Sequence, residues 1–259
     1  MKVVSWNVNS IRSRTARLID WIERHDPDVL LLQETKTGDD SFVAGPLAEV
    51  GYEVAHNGVD HWNGVAIASR LGLVDVQMGF PGINRPPFDE ARLVSATCGG
   101  VRFHSAYVPN GRTLADAHYL YKLVWLERLR SSVDTAVPTF LGGDMNVAPA
   151  DIDIYDPKRW RNKTHASPAE RAAIVALLDA GFRDVTREHL DGEGVFTWWS
   201  YRPGQAEQNR GLRIDLALLT DELASRVEAV SIDTEERLRG EHLGQKPSDH
   251  APLVVELAP

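Results

Sequence analysis

The apolar runs of this sequence repeatedly end in an acid or a carboxamide. Lys2–Trp6 leads into Asn7 with Asn9 following, Val29–Leu32 into Gln33-Glu34, and Thr139–Gly142 into Gly143-Asp144-Met145-Asn146. Asp215 sits inside another run between Ile214 and Leu216, and Ser248-Asp249-His250 comes just before the last one. Polar groups inside or at the rim of a core need partners, so these residues are expected to find one another. Carboxylates and carboxamides without a thiolate are hard donors that suit Mg²⁺ or Mn²⁺, ions that keep several waters and meet substrate phosphates. Beside such an ion a carboxylate can take a proton from water and an imidazolium can stabilise developing charge, which fits phosphodiester cleavage. No glycine loop ending in Lys-Ser or Lys-Thr, no HExxH and no GxSxG offers a competing chemistry.

Taken singly, each residue has a plainer role open to it. Asn7 and Asn146 could end strands and cap turns, Glu34 could be a surface charge, and His250 could be a core histidine. Asp215 is expected to be half buried and to want a cation or a histidine, for which His250 is available. Asp144, in its tight glycine turn, is comparable. The set says more than any member.

The elements that must position these residues are short apolar runs read as buried strands: Lys2–Trp6, Val29–Gln33, Val65–Ser69, Leu93–Thr97, Val101–Tyr107, Thr139–Gly142, Arg213–Leu219, Val227–Ile232 and Leu253–Leu257. Helical patterns cover Ser13–Arg24, Leu114–Ser132 and Ala169–Ala180, the last opening after Ser167-Pro168, which suits a capped first turn. Many strands and few helices imply an α/β fold of packed sheets with helices outside. With 259 residues, no repeat and no linker, a single domain over 1–259 is expected. The loops Gly38–Gly45, Gly79–Asp89 and Pro149–Lys163 are long enough to be suspected of function.

The formal charge of −9 excludes a globally basic nucleic-acid coat protein. The single cysteine, Cys98, can form neither an intrachain disulfide nor a thiolate zinc site. With no apolar run near membrane-spanning length and no apolar signal core in MKVVSWNVNSIRSR, a cytoplasmic protein is expected. A monomer is the expected state, since no amphipathic surplus demands a partner.

Six segments, SWNVNSIRSR, LLLQETK, AYVPNG, FLGGDMNVAP, FTWWSY with NRGLRIDLAL, and KPSDHAPL, resemble in the same order the motifs of exonuclease III-type apurinic/apyrimidinic endonucleases. They run from residue 5 to residue 253. The resemblance implies membership of the endonuclease/exonuclease/phosphatase superfamily and its DNase I-like fold, a four-layered α/β sandwich of two mixed β-sheets packed face to face and flanked by helices. It implies a Mg²⁺- or Mn²⁺-dependent DNA repair phosphodiesterase that cuts 5′ to abasic sites and leaves a 3′-hydroxyl. Repair of blocked 3′ ends and 3′-to-5′ exonuclease action on duplex DNA are implied as well. Glu34 matches the principal metal ligand, with Asn7, Asp144, Asn146, Asp249 and His250 around the metal site. Asp144 matches the residue that activates water, Asn146 a carboxamide that holds water and phosphate, and His250 a phosphate-facing histidine oriented by Asp215. Tyr107 matches an active-site tyrosine, otherwise readable as a strand-end aromatic, and Asn9 and Asn110 lie beside the substrate. Trp198, Leu212 and Ile214 match an apolar pocket for a flipped abasic sugar, which enters a slot too narrow for a normal nucleotide. Their alternative is an ordinary aromatic core patch.

The partner implied is duplex DNA with abasic sites or blocked 3′ ends, gripped by locally placed cations and not by net charge. Arg12, Arg14, Lys36, Arg85, Lys158, Arg159, Arg161, Lys163, Arg202, Arg210 and Lys246 are the candidates, with the Lys158–Lys163 cluster and the Arg202–Arg210 loop foremost. No tail precedes the first strand, so the compact bacterial form is expected. The insert Thr234–Gln245 has no role legible in the sequence. Two alternatives stand: another phosphoesterase of the superfamily, disfavoured by Trp198 and NRGLRID, and a catalytically silent nucleic-acid-binding regulator of the same fold. The latter would be marked by loss of Glu34, Asp144, Asn146, Asp215 or His250, and all five are present.

Overall fold

The computed structural model of the chain describes residues 1–42, 44–82 and 89–259. In chain order its elements are β1 (Lys2–Asn7), α1 (Thr15–His25), β2 (Val29–Gln33), α2 (Ala44–Glu49), β3 (Glu53–Asn57), β4 (Val65–Ser69), β5 (Val74–Met78), β6 (Leu93–Cys98), β7 (Val101–Tyr107), α3 (Ala117–Ser132), β8 (Thr139–Asp144), α4 (Pro157–Trp160), α5 (Pro168–Asp179), β9 (Phe182–Asp184), α6 (Val185–His189), β10 (Asp215–Thr220), α7 (Asp221–Ala224), β11 (Val227–Ile232), α8 (Thr234–Leu238) and β12 (Leu253–Leu257). No helix among the described residues is long and apolar enough to cross a membrane.

The strands form two six-stranded sheets, ordered β11-β12-β1-β2-β4-β3 and β5-β6-β7-β8-β10-β9. Each sheet contains one parallel pair, β1–β2 bridged by α1 and β7–β8 bridged by α3. Strand residues alternate between faces, and both faces of the central strands are buried. Val3, Leu31, Val65, Phe103, Phe140, Ala217 and Val255 meet in the layer between the sheets. Val4, Trp6, Leu30 and Leu32 face outward onto Leu18, Trp21 and Ile22 of α1. Leu141, Leu216 and Leu218 face the other way onto Trp125 and Leu129 of α3 and Ile174 and Leu177 of α5. The result is the four-layered sandwich implied by the motifs.

All nine expected strands form, and β3, β5 and β9 are additional. Those three read poorly because β3, β5 and β9 lie at sheet edges, where polar residues are tolerated. β5 is largely exposed and β9 has three residues. The Ser167 cap is as expected, accepting from the Glu170 amide in a capping box. Helix α3 starts three residues later than the pattern suggests because Asp116 caps it through the His118 amide. Strand β10 starts at Asp215 because the buried Arg213 guanidinium is pulled to Asp153 and Asp184. Residues 83–88 of the suspected Gly79–Asp89 loop, Arg85 included, lie outside the described residues.

At the end where β1, β2 and β8 finish, the sheets pack closely. A Cβ on Gly142 would come 2.7 Å from Leu31 Cδ1 of the other sheet, whereas one on Gly143 would collide with the Ala106 carbonyl of the neighbouring strand β7 in its own sheet. The missing side chain at Gly142 eases that cross-sheet contact, and the end of β8 lies against β1 and β2.

Candidate active site

Asn7 ends β1, and its Nδ2 donates to Glu34 Oε1 at 2.8 Å and to Asp144 Oδ2 at 3.0 Å. Its Oδ1 accepts from the Asn9 backbone amide at 3.0 Å. One buried carboxamide therefore ties a carboxylate following β2 in one sheet to a carboxylate ending β8 in the other. Glu34, Asp144 and His250 place ligand atoms within 4.8 Å of one another, close enough to hold a metal ion. Asn9, Glu34, Lys36 and Asn146 all carry positive φ, between 44° and 52°. That region is uncommon outside glycine and costly for residues such as Glu and Lys, and such strain concentrates at functional sites.

His250 is buried beside two acids. Its Nδ1 donates to Asp215 Oδ2 at 2.8 Å, and its Nε2 lies 3.7 Å from Asp144 Oδ2. Burial opposes the imidazolium, but the Asp215 and Asp144 carboxylates outweigh it and push the pKa up to about 10. Asp144 is pushed up to about 7, by burial first, with Asp215 and Glu34 adding and the His250 cation opposing. Burial and the neighbouring Glu34 carboxylate, which accepts from its hydroxyl, keep Tyr107 protonated. Asp215, 1 % exposed, is buried more deeply than its sequence suggested, and its backbone amide is held by Thr197 Oγ at 3.1 Å.

Asn146 donates through Nδ2 to the Val108 carbonyl at 2.9 Å, and its own amide donates to Asp144 Oδ1 at 2.9 Å. Asn110 Nδ2 donates to Asn146 Oδ1 at 3.3 Å. Five partners escaped the sequence reading: Lys122, Glu170 and His165 behind Asn146, Thr197 under Asp215, and Ser248, whose hydroxyl donates to the Asn7 carbonyl at 2.6 Å. Lys122 had a signal, since it shares a helical face with Trp125, Leu126 and Leu129 and a lysine in an apolar stripe needs a buried partner.

Asp249 stands apart from the cluster. Burial opposes its charge, yet His250 and hydrogen bonds from Trp198 and Asn9 hold its pKa low. Its oxygens accept from Asn9 Nδ2 at 2.9 Å and Trp198 Nε1 at 3.0 Å. Trp198 packs against Leu212 and Ile214 together with Ala148, Ile154 and Trp160. Leu212 and Ile214 are fully covered and Trp198 is the member of that trio reaching the surface.

The cations divide. Arg12, Lys158, Arg159, Arg161, Lys163, Arg202, Arg210 and Lys246 are exposed. Lys163 lies over the Trp160 ring, which fixes the basic segment beside the Trp198 cluster. Lys36, expected on the DNA backbone, is half-buried and pairs with Glu34 at 2.7 Å and with Asn9 Oδ1. Arg14, also expected there, is buried against Asn9, Tyr201 and Pro247.

A family model described as "Endonuclease/Exonuclease/phosphatase family" matches residues 4–250. Exodeoxyribonuclease III of Haemophilus influenzae is 33 % identical over 272 residues, covering 99 % of both chains. The zebrafish DNA repair nuclease APEX1 is 31 % identical over 269 residues, covering 100 % of this chain and 82 % of that one. Among solved structures, an AP endonuclease from Archaeoglobus fulgidus superposes with a TM-score of 0.93 at 38 % identity over 99 % of each chain. The 3′ phosphatase NExo from Neisseria, bound to a product DNA hairpin, gives 0.94 at 36 % identity over 100 % of this chain and 99 % of that one.

Proposed function

The chain belongs to the endonuclease/exonuclease/phosphatase family, and from that premise we propose that it is a DNA repair phosphodiesterase of the exodeoxyribonuclease III type. Its reaction on this reading is hydrolysis 5′ to an abasic site to leave a 3′-hydroxyl, together with trimming and unblocking of 3′ ends of duplex DNA. The reading includes action as a single chain in the cytoplasm. The observation that supports it most is the meeting of Glu34, Asp144 and the His250–Asp215 pair at the joined ends of both sheets.

The donors fit a hard divalent cation. Burial first, then the Asp215 and Glu34 carboxylates, push Asp144 upward against the His250 cation, and a cation among these acids would offset their crowding. Glu34 would be the principal ligand, with Asp144 in reach and Asn7 orienting both carboxylates. Mg²⁺ or Mn²⁺ bound there would offset phosphate charge and stabilise the leaving oxygen. His250 is held through Nδ1 by Asp215, which leaves Nε2, 3.7 Å from Asp144, to face the phosphate as a donor. Asp249 and Asn146, engaged elsewhere, take a similar outer position.

Asp144, with a pKa of about 7, is poised to accept a proton from water near neutral pH. The His250 imidazolium and the Tyr107 hydroxyl supply donors for charge developing on the phosphate, and Asn146 and Asn110 present carboxamides beside them. Trp198 offers an apolar surface next to this cluster for a sugar without its base. The exposed cations from Lys158 to Lys163 and at Arg12, Arg202 and Arg210 would position the duplex without reading its sequence.

The test is incubation of the protein with a labelled duplex carrying one tetrahydrofuran abasic analogue, with Mg²⁺, Mn²⁺ or EDTA. That analogue cannot undergo β-elimination, so any cut is hydrolytic. A single metal-dependent incision 5′ to the analogue is expected, with laddering from the 3′ end. A bound but uncut duplex with either metal would turn the reading to a silent DNA-binding protein.

A further inference from the structure

Lys122 and Glu170 are both fully buried, with Nζ 2.5 Å from Oε1. Removing two ions from water costs about several kcal/mol each, and apolar side chains of similar volume often fill such a space at least as well. Apart from the Glu170–Ser167 bonds that cap α5, the remaining bonds of this pair converge on the active site. Lys122 Nζ donates to the Asn146 carbonyl at 2.7 Å and to the Asn110 carbonyl at 3.3 Å. Glu170 Oε1 accepts from Thr164 Oγ at 2.8 Å and from the His165 amide at 2.9 Å.

His165 closes the ring. Its Nδ1 lies 2.5 Å from the Asn146 carbonyl, which can only accept, so Nδ1 carries the proton. Nε2 is then an acceptor, and it faces Asn110 Nδ2 at 3.4 Å. The Asn110 carbonyl oxygen of the side chain accepts from the Arg112 amide at 3.1 Å, so that carboxamide has one orientation that satisfies both ends. Asn146 sits at φ 51°, and its carbonyl is gripped from two sides, by α3 through Lys122 and by the segment leading into α5 through His165.

We infer that Lys122, Glu170 and His165 are positioning residues for hydrolysis, holding the strained Asn146 backbone and the Asn110 carboxamide in the orientation presented to the scissile phosphate. The inference rests on the hydrolytic reading above. It gives the buried pair a purpose that stability alone does not: a lysine anchored to a glutamate is a rigid donor for two carbonyls that no apolar pair could hold.

Single-turnover cleavage of the tetrahydrofuran duplex at saturating enzyme tests it, alongside duplex affinity and thermal unfolding of each variant. His165→Ala should slow cleavage by about 10²-fold while leaving the dissociation constant for the duplex unchanged. His165→Asn returns an amide N–H near the lost Nδ1–H and should restore most of the rate. The double variant Lys122→Met/Glu170→Met should stay folded and slow cleavage similarly. Wild-type rates in His165→Ala or in the folded double variant overturn the inference. So does a loss of rate in His165→Ala that tracks lowered thermal stability and is not rescued by Asn. If the unaltered protein does not cleave at all, it is the hydrolytic reading that fails.

Discussion

Asp144 and Asp215 stand directly opposite each other in the β8–β10 ladder, and the His250 ring spans the pair. Direct cross-strand partners project to the same face, so the ladder's register places two buried carboxylates against one imidazole. This arrangement holds the pKa of His250 up to about 10. If His250 acts charged, activity should persist on the alkaline side until pH approaches about 10, where the proton is lost. Asp215→Asn removes the main raising charge, so the alkaline limb of the pH–rate profile should move down toward neutrality. Its turnover near neutral pH should fall by about 10²-fold or more. An alkaline limb that does not move would show that His250 is not the group titrating there.

Asp144 carries the opposite lesson for stability. Its folded pKa of about 7 exceeds the ordinary 3.8, so the folded state binds its proton more tightly than the unfolded chain does. Ionisation therefore penalises folding progressively between those two values, and the full penalty stands above the higher one. The thermal midpoint of Asp144→Asn relative to the unaltered protein should rise across that interval, by about 2–4 °C for each kcal/mol relieved. Turnover should be lost while duplex binding survives. Calorimetry in a pH series without divalent metal reads the difference, and a flat difference would mean that Asp144 titrates normally.

Glu34 faces the ion on the hydrolytic reading, which makes metal binding measurable apart from catalysis. A ligand that binds only the folded state stabilises it by about 2.7 kcal/mol at 100 times its dissociation constant. Titrating Mn²⁺ or Mg²⁺ should therefore raise the thermal midpoint of the unaltered protein, and EDTA should reverse it. Glu34→Gln should need at least about tenfold more metal for the same rise. Equal titrations for both proteins would place the ion elsewhere.

Much of this centre was legible because its residues sit where strands end. A run such as Val29–Gln33 is buried on every residue, so the Glu34 that follows must lie at its rim. Asp215 announced itself by its apolar neighbours, although its burial is complete and not half. Pairing across sheets was harder to see. Nothing local in the sequence says that Asn7 will bridge Glu34 and Asp144, since that contact depends on how the two sheets pack, with Gly142 against Leu31. The surroundings of Lys36 and Arg14 are hidden in the sequence for a related reason. Both look like solvated cations in sequence, but the left-handed turn at Lys36 directs it onto Glu34, and Arg14 is covered by Tyr201 and Pro247.

The insert Thr234–Gln245, opaque in sequence, clamps α1. Arg17, fully buried, donates to the Glu236 carboxylate and backbone carbonyl and to the carbonyls of Gly240 and Gln245. Trp21 Nε1 donates to Asp233 at 2.7 Å just before the insert. Burial raises the pKa of Glu236 even against the Arg17 charge, which shows how little solvent reaches the pair. Arg17→Met would take the buried cation from that carboxyl and the donor from three backbone carbonyls, and breaking a buried pair from one side costs about 3–5 kcal/mol. The double variant Arg17→Met/Glu236→Met removes both charges and should recover much of that loss. Because none of these bonds reaches Glu34, Asp144, Asp215 or His250, the single variant should keep its turnover at temperatures where it stays folded. Urea unfolding of the three proteins measures the coupling; a double variant no more stable than Arg17→Met would show that the carbonyl contacts, and not the ion pair, hold the insert in place.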